Sequence, residues 1–82
     1  MYFHIMQVHV SIYGQLTDAT GSNSLVLNDI SDTDTLLKLL NKQYPALREY
    51  SYIIAVDKEI ISSNTSLADH CTVALLPPYA GG

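Results

Sequence analysis

The chain has 82 residues, of which 48% are hydrophobic, 15% charged and 9% aromatic. This length accommodates one domain with a small core, and the apolar content excludes intrinsic disorder. Eight Asp and Glu residues against four Lys and Arg residues give a formal net charge of −4. Because an acidic surface repels phosphate backbones and anionic lipids, we expect neither a nucleic acid nor a membrane as partner.

The cysteine content and the length of the apolar runs indicate in which cellular compartment the protein is expected. Cys71 is the single cysteine of the sequence, so it permits no internal disulfide and no multi-cysteine zinc site. The apolar runs have the length of strands rather than of a membrane span, and the first residues lack a signal-peptide pattern. We therefore expect a reduced, cytoplasmic protein.

Two strands are predicted in the first third of the chain. Apolar and polar residues alternate over residues 6–12, which is typical of a half-buried strand. Residues 1–5 are interpreted as a possible N-terminal extension of this strand. Small and polar residues dominate residues 14–23 and predict a loop, while residues 24–27 predict a second strand that can form a hairpin with the first.

One amphipathic helix follows. Thr33 is the predicted N-cap because its hydroxyl can accept a hydrogen bond from a backbone N–H, and Asp34 follows where the helix dipole favours an acid. Pro45 prevents the helix from continuing, and Tyr44 and Leu47 are expected to fold back onto the core. Four leucines form a wide apolar stripe along the helix: Leu36, Leu37, Leu39 and Leu40.

The second half predicts three more strands. Residues 52–56 form an apolar run typical of a central strand, and residues 72–76 form the last strand. Between them, residues 57–59 predict a tight turn, residues 60–61 a short strand and residues 67–69 one helical turn. The order of elements predicts an α+β domain, in which one main helix packs on one face of a mixed four- to five-stranded sheet. The first and last strands are expected at its centre, with a parallel pair in the sheet.

Histidines and the cysteine are candidates for metal binding or catalysis. His4 and His9 lie five positions apart in the first strand, so alternation sends them to opposite faces and they cannot share one metal ion. His70 and Cys71 are neighbours, and neighbours on an extended chain point apart, whereas a nucleophile needs its base within hydrogen-bond reach. We interpret Cys71 as a small hydrophobic residue rather than a nucleophile.

Three carboxylates precede or begin the helix, at Asp29, Asp32 and Asp34. They lack the ligand spacing and the turn glycine of a calcium-binding loop, and we interpret them as a solvated helix entrance. The sequence contains no glycine-rich phosphate loop, zinc spacing or nucleophile elbow. We expect no bound metal or cofactor.

The last six residues carry the strongest functional signal. Pro77 and Pro78 end the last strand and impose an extended path, while Gly81 and Gly82 lack a Cβ and permit close approach of another backbone. Such a tail can reach about 20 Å into a narrow active site on another protein. An α-carboxylate on Gly82 becomes a good electrophile only after activation, for example by attack on the α-phosphate of ATP.

Residues 73–82 resemble the ending of the small, sulfur-carrying subunit of molybdopterin synthase, which has an apolar or aromatic pair, Pro-Pro, two variable residues and Gly-Gly. Residues 54–61 are similar to a further strand, turn and strand of that family, and residues 13–16 to the end of its first strand. Asp57 stands where the family usually has Asn, and Leu75-Leu76 replaces the commoner aromatic pair.

The resemblance implies a ubiquitin-like β-grasp domain over residues 1–76 and a flexible diglycine tail over residues 77–82. It also implies that an adenylating enzyme of the ubiquitin-activating type uses ATP to activate Gly82, which is then converted to a thiocarboxylate. The tail would enter the large subunit of molybdopterin synthase and give its sulfur to a cyclic pyranopterin phosphate, in molybdenum cofactor biosynthesis. Catalytic side chains would belong to the large subunit. The tail residues inserted ahead of Gly82 would be Pro77, Pro78, Tyr79, Ala80 and Gly81.

A docking patch follows from the arrangement of the sheet faces. One helix covers one face, so apolar residues on the other face need a different explanation. Tyr13, Ile60 and Leu76 are expected on that uncovered face, and by resemblance they correspond to partner-facing positions. We predict that they bind the large subunit and the adenylating enzyme in turn.

Other functions stay open. Sulfur carriers for tRNA thiolation share the diglycine, so the sequence does not exclude that role, whereas thiamine carriers are typically shorter and lack the Pro-Pro. A protein modifier joined through Gly82 to target lysines is a second alternative. A plain interaction domain with an incidental Gly-Gly is a third.

Overall fold

The structure is a computed structural model that describes residues 6–78. The predicted N-terminal extension at residues 1–5, which includes His4, and the tail residues 79–82 lie outside this range. In chain order, the helices and strands of the described residues are β1 (Gln7–Ile12), α1 (Leu16–Thr20), β2 (Ser24–Asn28), α2 (Thr33–Gln43), a 3₁₀ helix (Pro45–Glu49), β3 (Ile53–Val56), β4 (Glu59–Ile61) and β5 (Cys71–Leu76).

The five strands form one mixed sheet in the order β2-β1-β5-β3-β4. β1 and β5 are parallel and central, and the other pairs are antiparallel. This confirms the predicted α+β class, the first and last strands at the centre and the parallel pair. None of the helices within residues 6–78 is long and apolar enough to cross a membrane.

The core lies between one face of the sheet and α2. Leu36 and Leu40, one turn apart on α2, are fully buried, and Leu37 and Leu39 are half-buried, as the predicted stripe requires. Leu47 in the 3₁₀ helix is also fully buried. The sheet contributes alternate residues from its two central strands: Val8, Val10, Ile12, Cys71, Val73 and Leu75. Each fully buried aliphatic side chain stabilises the fold by about 1.5–3 kcal/mol.

The predicted loop at residues 14–23 is wrong in part, because it contains the short helix α1. Leu16 is fully buried and anchors this helix to the core. Gly21, at φ 71°, ends it, and its N–H donates to the carbonyl of Thr17 at 2.7 Å. A five-residue helix is too short to show a periodic pattern, so its polar composition suggested a loop.

The predicted N-cap at Thr33 is also wrong, since the cap is Asp32. A carboxylate oxygen of Asp32 accepts from the N–H of Thr35 at 3.0 Å. Thr33 is only 2% exposed, and its hydroxyl accepts from the N–H of Thr65 at 2.9 Å and donates to Oδ1 of Asn64 at 3.2 Å. The Thr33 hydroxyl therefore ties the helix start to the loop after β4.

The segment before β5 differs from the prediction too. Residues 67–69 form no helical turn, because the chain reverses in a tight turn in which the N–H of Cys71 donates to the carbonyl of Ala68 at 3.1 Å. His70 takes a positive φ of 63° in this turn. The turn predicted at residues 57–59 is confirmed at Asp57 and Lys58, which both have positive φ, as a two-residue hairpin requires; Glu59 already belongs to β4.

Candidate functional site

The ends of the two central strands meet at one edge of the sheet. Because β1 and β5 run parallel, Tyr13 leaves β1 beside the end of β5, and its N–H donates to the carbonyl of Leu75 at 3.1 Å. Gly14 follows at φ 61°, and a Cβ built on it would lie 2.7 Å from Cγ of Pro77. The start of the predicted tail is therefore packed against the turn after β1.

The two prolines of the tail are half-buried. Pro78 borders a shallow depression together with Gln15, Tyr50 and Ser51. The other residues predicted to insert into a partner, Tyr79, Ala80 and Gly81, lie outside the described residues, as does Gly82. Their predicted roles stay predictions.

An apolar surface lies on the face of the sheet turned away from α2. Strand register places Leu76 beside Ile53, and Tyr13 follows the pair Ile12–Leu75, so it lies on the other side of Leu76. Tyr13 is 50% exposed and Ile60 is 69% exposed, and Leu76 is half-buried. We call this surface the outer patch; its members are Tyr13, Ile53, Ala55, Ile60, Ala74 and Leu76.

The three residues predicted for docking all lie in the outer patch, and their role in docking stays a prediction. Sequence reasoning missed Ile53, Ala55 and Ala74, which connect them. Ile53 pairs with Leu76, and Ala55 pairs with both Ala74 and Ile60, so the surface is continuous across three strands. The unbroken apolar run of β3 concealed this, because it gives no alternation from which to assign faces.

His9 and His70 are in contact on the face of the sheet turned away from α2. The sequence did not predict this contact. Their rings stack with centroids 6.1 Å apart, and Nε2 of His70 lies 3.5 Å from a carboxylate oxygen of Asp69. Within residues 6–78, no group of three or more His, Cys, Asp or Glu side chains is arranged to hold a metal ion.

Cys71 begins β5 and is buried in the core. Burial raises the pKa of its thiol, and the nearby Asp57 carboxylate raises it further. Both effects favour the neutral thiol over the reactive thiolate. Cys71 is thus placed as the small core residue that its sequence context indicated.

Of the three carboxylates predicted to surround the helix entrance, Asp32 is the one that caps the helix. Hydrogen bonds from Thr35 hold the pKa of its carboxyl below the ordinary value, and the Asn64 side chain also donates to it at 3.2 Å. Asp29 and Asp34 are exposed. The helix entrance is thus a capped N-terminus with solvated acids around it.

A mixed sheet with one main helix on one face, and with a central strand that Pro77-Pro78 follows, defines a small ubiquitin-like β-grasp protein. The chain belongs to the ThiS family, which it matches over residues 10–82. This match, together with the structural likenesses below, confirms the resemblance to the small ubiquitin-like sulfur carriers.

Several solved structures share the fold. Small archaeal modifier protein 1 of Methanosarcina acetivorans is 28% identical with a TM-score of 0.72, over 98% of this chain and 100% of that one. A chain in the complex of subunits 1 and 2 of the molybdopterin-converting factor of Helicobacter pylori is 28% identical with a TM-score of 0.75, over 94% of this chain and 100% of that one. A putative molybdopterin converting factor subunit 1 of Pyrococcus furiosus is 18% identical with a TM-score of 0.80, over 89% and 98%. No curated protein sequence matches the chain.

Proposed function

We propose that this sulfur carrier serves molybdopterin synthesis, with Gly82 as the residue that carries the sulfur. The observation that carries the proposal is the position of Pro77, the first residue of the tail, beside the outer patch. Pro77 packs against Gly14. Tyr13 directly precedes Gly14 in the sequence, Leu76 directly precedes Pro77, and both belong to the outer patch. A partner that binds the outer patch is therefore positioned to receive the tail.

The first partner is an adenylating enzyme of the ubiquitin-activating type. An oxygen of the Gly82 carboxylate attacks the α-phosphate of ATP, and pyrophosphate leaves. The terminal sulfur of a persulfide then attacks the acyl carbon, and AMP leaves. A second thiol takes the other persulfide sulfur into a disulfide and releases the Gly82 thiocarboxylate. The chain itself needs only an accessible terminus for these steps.

The second partner is the large subunit of molybdopterin synthase. The outer patch docks on it, residues 77–82 enter its active site, and the sulfur passes to a cyclic pyranopterin phosphate. Catalytic side chains belong to that subunit. The Helicobacter pylori structure supports this partner, because it is a complex of subunits 1 and 2 of the molybdopterin-converting factor.

Intact mass spectrometry tests the carrier chemistry. The chain is incubated with ATP, a sulfur donor and its adenylating enzyme, and a mass gain equal to sulfur replacing one oxygen is expected at Gly82. Deletion of Gly82 should abolish the gain, whereas Lys42→Gln, an exposed substitution on α2, should leave it unchanged. An unmodified chain, with an enzyme shown to activate another carrier, would overturn the proposal.

A second function is favoured by one observation, the likeness to the Methanosarcina modifier protein over 98% of this chain. A lysine amine can attack the same acyl-adenylate, which would join Gly82 to a target protein through an isopeptide bond. Lysine conjugates on blots would favour this modifier function. A thiocarboxylate consumed by the pterin precursor would favour the molybdopterin function, and one consumed only by tRNA or a thiazole precursor would favour those alternatives.

A further inference from the structure

The strand β2 forms one edge of the sheet and lacks the usual protection of an edge. Within residues 6–78, no strand pairs with its outer side. Natural edge strands are guarded by charged side chains, prolines or bulges. The sequence of β2, SLVLN, contains neither charge nor proline, and no charged residue occurs between Asp18 and Asp29. Val26, at its centre, is 55% exposed.

The hydrogen-bond pattern shows which backbone groups of β2 face outward. The N–H of Ile12 donates to the carbonyl of Asn23, and the N–H of Asp29 donates to the carbonyl of Met6. In an antiparallel pair, bonded and non-bonded positions alternate along the strand. The odd-numbered residues of β2 are therefore bonded to β1.

The backbone groups of the even-numbered residues point away from β1. These residues are Ser24 and Asn28, at the two ends of β2, and Val26 at its centre. Each presents one N–H donor and one C=O acceptor to the open side of the sheet. The Ser24 carbonyl already accepts a hydrogen bond from the Ser22 hydroxyl at 2.9 Å, which leaves its second lone pair for a partner strand. The outward row is thus symmetric about Val26.

We propose that β2 pairs with β2 of a second copy of this chain, antiparallel about a two-fold axis beside Val26. Val26 then exchanges backbone hydrogen bonds with Val26 of the second copy, and Ser24 does so with Asn28, for about six intermolecular bonds. The two exposed valine side chains contact each other, and the leucines at positions 25 and 27 face each other on the core side.

Charge is compatible with this register. Asp29 falls opposite Asn23 of the second copy, so an acid meets an amide and no like charges are paired. A two-fold axis perpendicular to the sheet keeps both copies of α2 on one face and yields a continuous ten-stranded sheet. β1 separates β2 from β5, so the start of the tail and the outer-patch residues on β3, β4 and β5 lie away from this contact; Tyr13, at the end of β1, is the outer-patch residue nearest to it. The dimer is therefore independent of the proposed function and compatible with it.

Sedimentation equilibrium on the full chain tests the dimer. The wild-type chain should show concentration-dependent dimers, and Val26→Lys and Val26→Glu should each weaken dimerisation at least about tenfold, because like charges then face each other. An equimolar mixture of the two variants should restore dimers, because Lys then faces Glu. Circular dichroism checks that both variants fold, which the exposure of Val26 favours.

Two substitutions serve as matched controls. Val26→Thr keeps the β-branched shape without charge and should leave the dimer intact. Ile60→Lys places the same charge on the opposite edge strand, β4, and should also leave it intact. A wild-type chain that is monomeric up to about 1 mM would overturn the proposal. Val26→Lys and Val26→Glu variants that dimerise like the wild type, or that do not pair when mixed, would also overturn it.

Discussion

Gly14 and Pro77 are in direct contact across the ends of the two central strands. A Cβ on Gly14 would lie 2.7 Å from Cγ of Pro77, closer than side-chain packing allows, and Gly14 has a φ of 61°. Both the backbone conformation and the space require glycine here. The direction in which the tail leaves the sheet is thus coupled to the turn after β1.

We predict that Gly14→Ala destabilises the fold by about 2 kcal/mol or more, because the left-handed backbone conformation and the contact with Pro77 both disfavour a Cβ. It should also slow thiocarboxylate formation, because Pro77 must shift. Gly21→Ala is the matched control. Gly21 has a similar φ of 71°, but no atom lies within 4 Å of its would-be Cβ. The Gly21→Ala variant should lose about 1 kcal/mol of folding stability, and its rate of thiocarboxylate formation should not change.

Urea unfolding and the rate of sulfur loading measure the two effects separately. Equal loading rates for the Gly14 and Gly21 variants would mean that the contact with Pro77 does not direct the tail. Equal losses of stability would mean that Pro77 relaxes at no cost.

Thr33→Val should destabilise the chain by about 1–3 kcal/mol, since the N–H of Thr65 then loses its partner at a site that is almost fully buried. Thr72→Val, the same substitution at an exposed position of β5, should have a much smaller effect. Thermal or urea unfolding of the two variants provides the comparison. Similar losses for both would contradict the assignment of the Thr33 hydroxyl to the loop after β4.

Asp32 should make stability depend on pH in the acidic range. Hydrogen bonds from Thr35 lower the pKa of this carboxyl in the folded state below the ordinary value of 3.8. A lowered folded-state pKa stabilises the protein above the unfolded-state pKa, and this contribution is lost as the pH falls through the folded-state value. Asp32→Asn can also cap the helix but does not titrate.

The measurement is the free energy of unfolding of wild type and Asp32→Asn as a function of pH. The free energy of unfolding of the wild type should exceed that of the variant by a constant amount around neutral pH, and this difference should shrink below about pH 4. A difference that stays constant into strong acid would refute the role of the ionised carboxylate.

Strong local patterns in the sequence were enough to predict the sheet. Alternation fixed the faces of β1, and the turn at Asp57 and Lys58 needed only its position between two apolar runs. The N-cap was missed because Asp32 and Thr33 are adjacent and both residue types cap helices. The tertiary contact with Thr65 decides between them, and it joins segments more than thirty residues apart.

The candidate site was predictable only in part, for a related reason. Tyr13, Ile60 and Leu76 followed from alternation and resemblance, but the connection through Ile53 depends on the register between β3 and β5. Register is set by long-range pairing that the sequence does not show. The open edge of β2 likewise depends on the order of strands in the sheet, so it appeared only in the structure.

The outer patch leads to the last prediction. Leu76→Glu and Tyr13→Asp should each weaken binding of the large subunit and of the adenylating enzyme at least about tenfold, because each places a charge in a desolvated contact. Folding should be little affected, because both side chains are at least partly exposed. Gln43→Glu adds the same charge at an exposed position on α2, across the sheet, and should bind as wild type. Calorimetric titration with each partner gives the comparison, and unchanged affinity for both outer-patch variants would show that docking uses another surface.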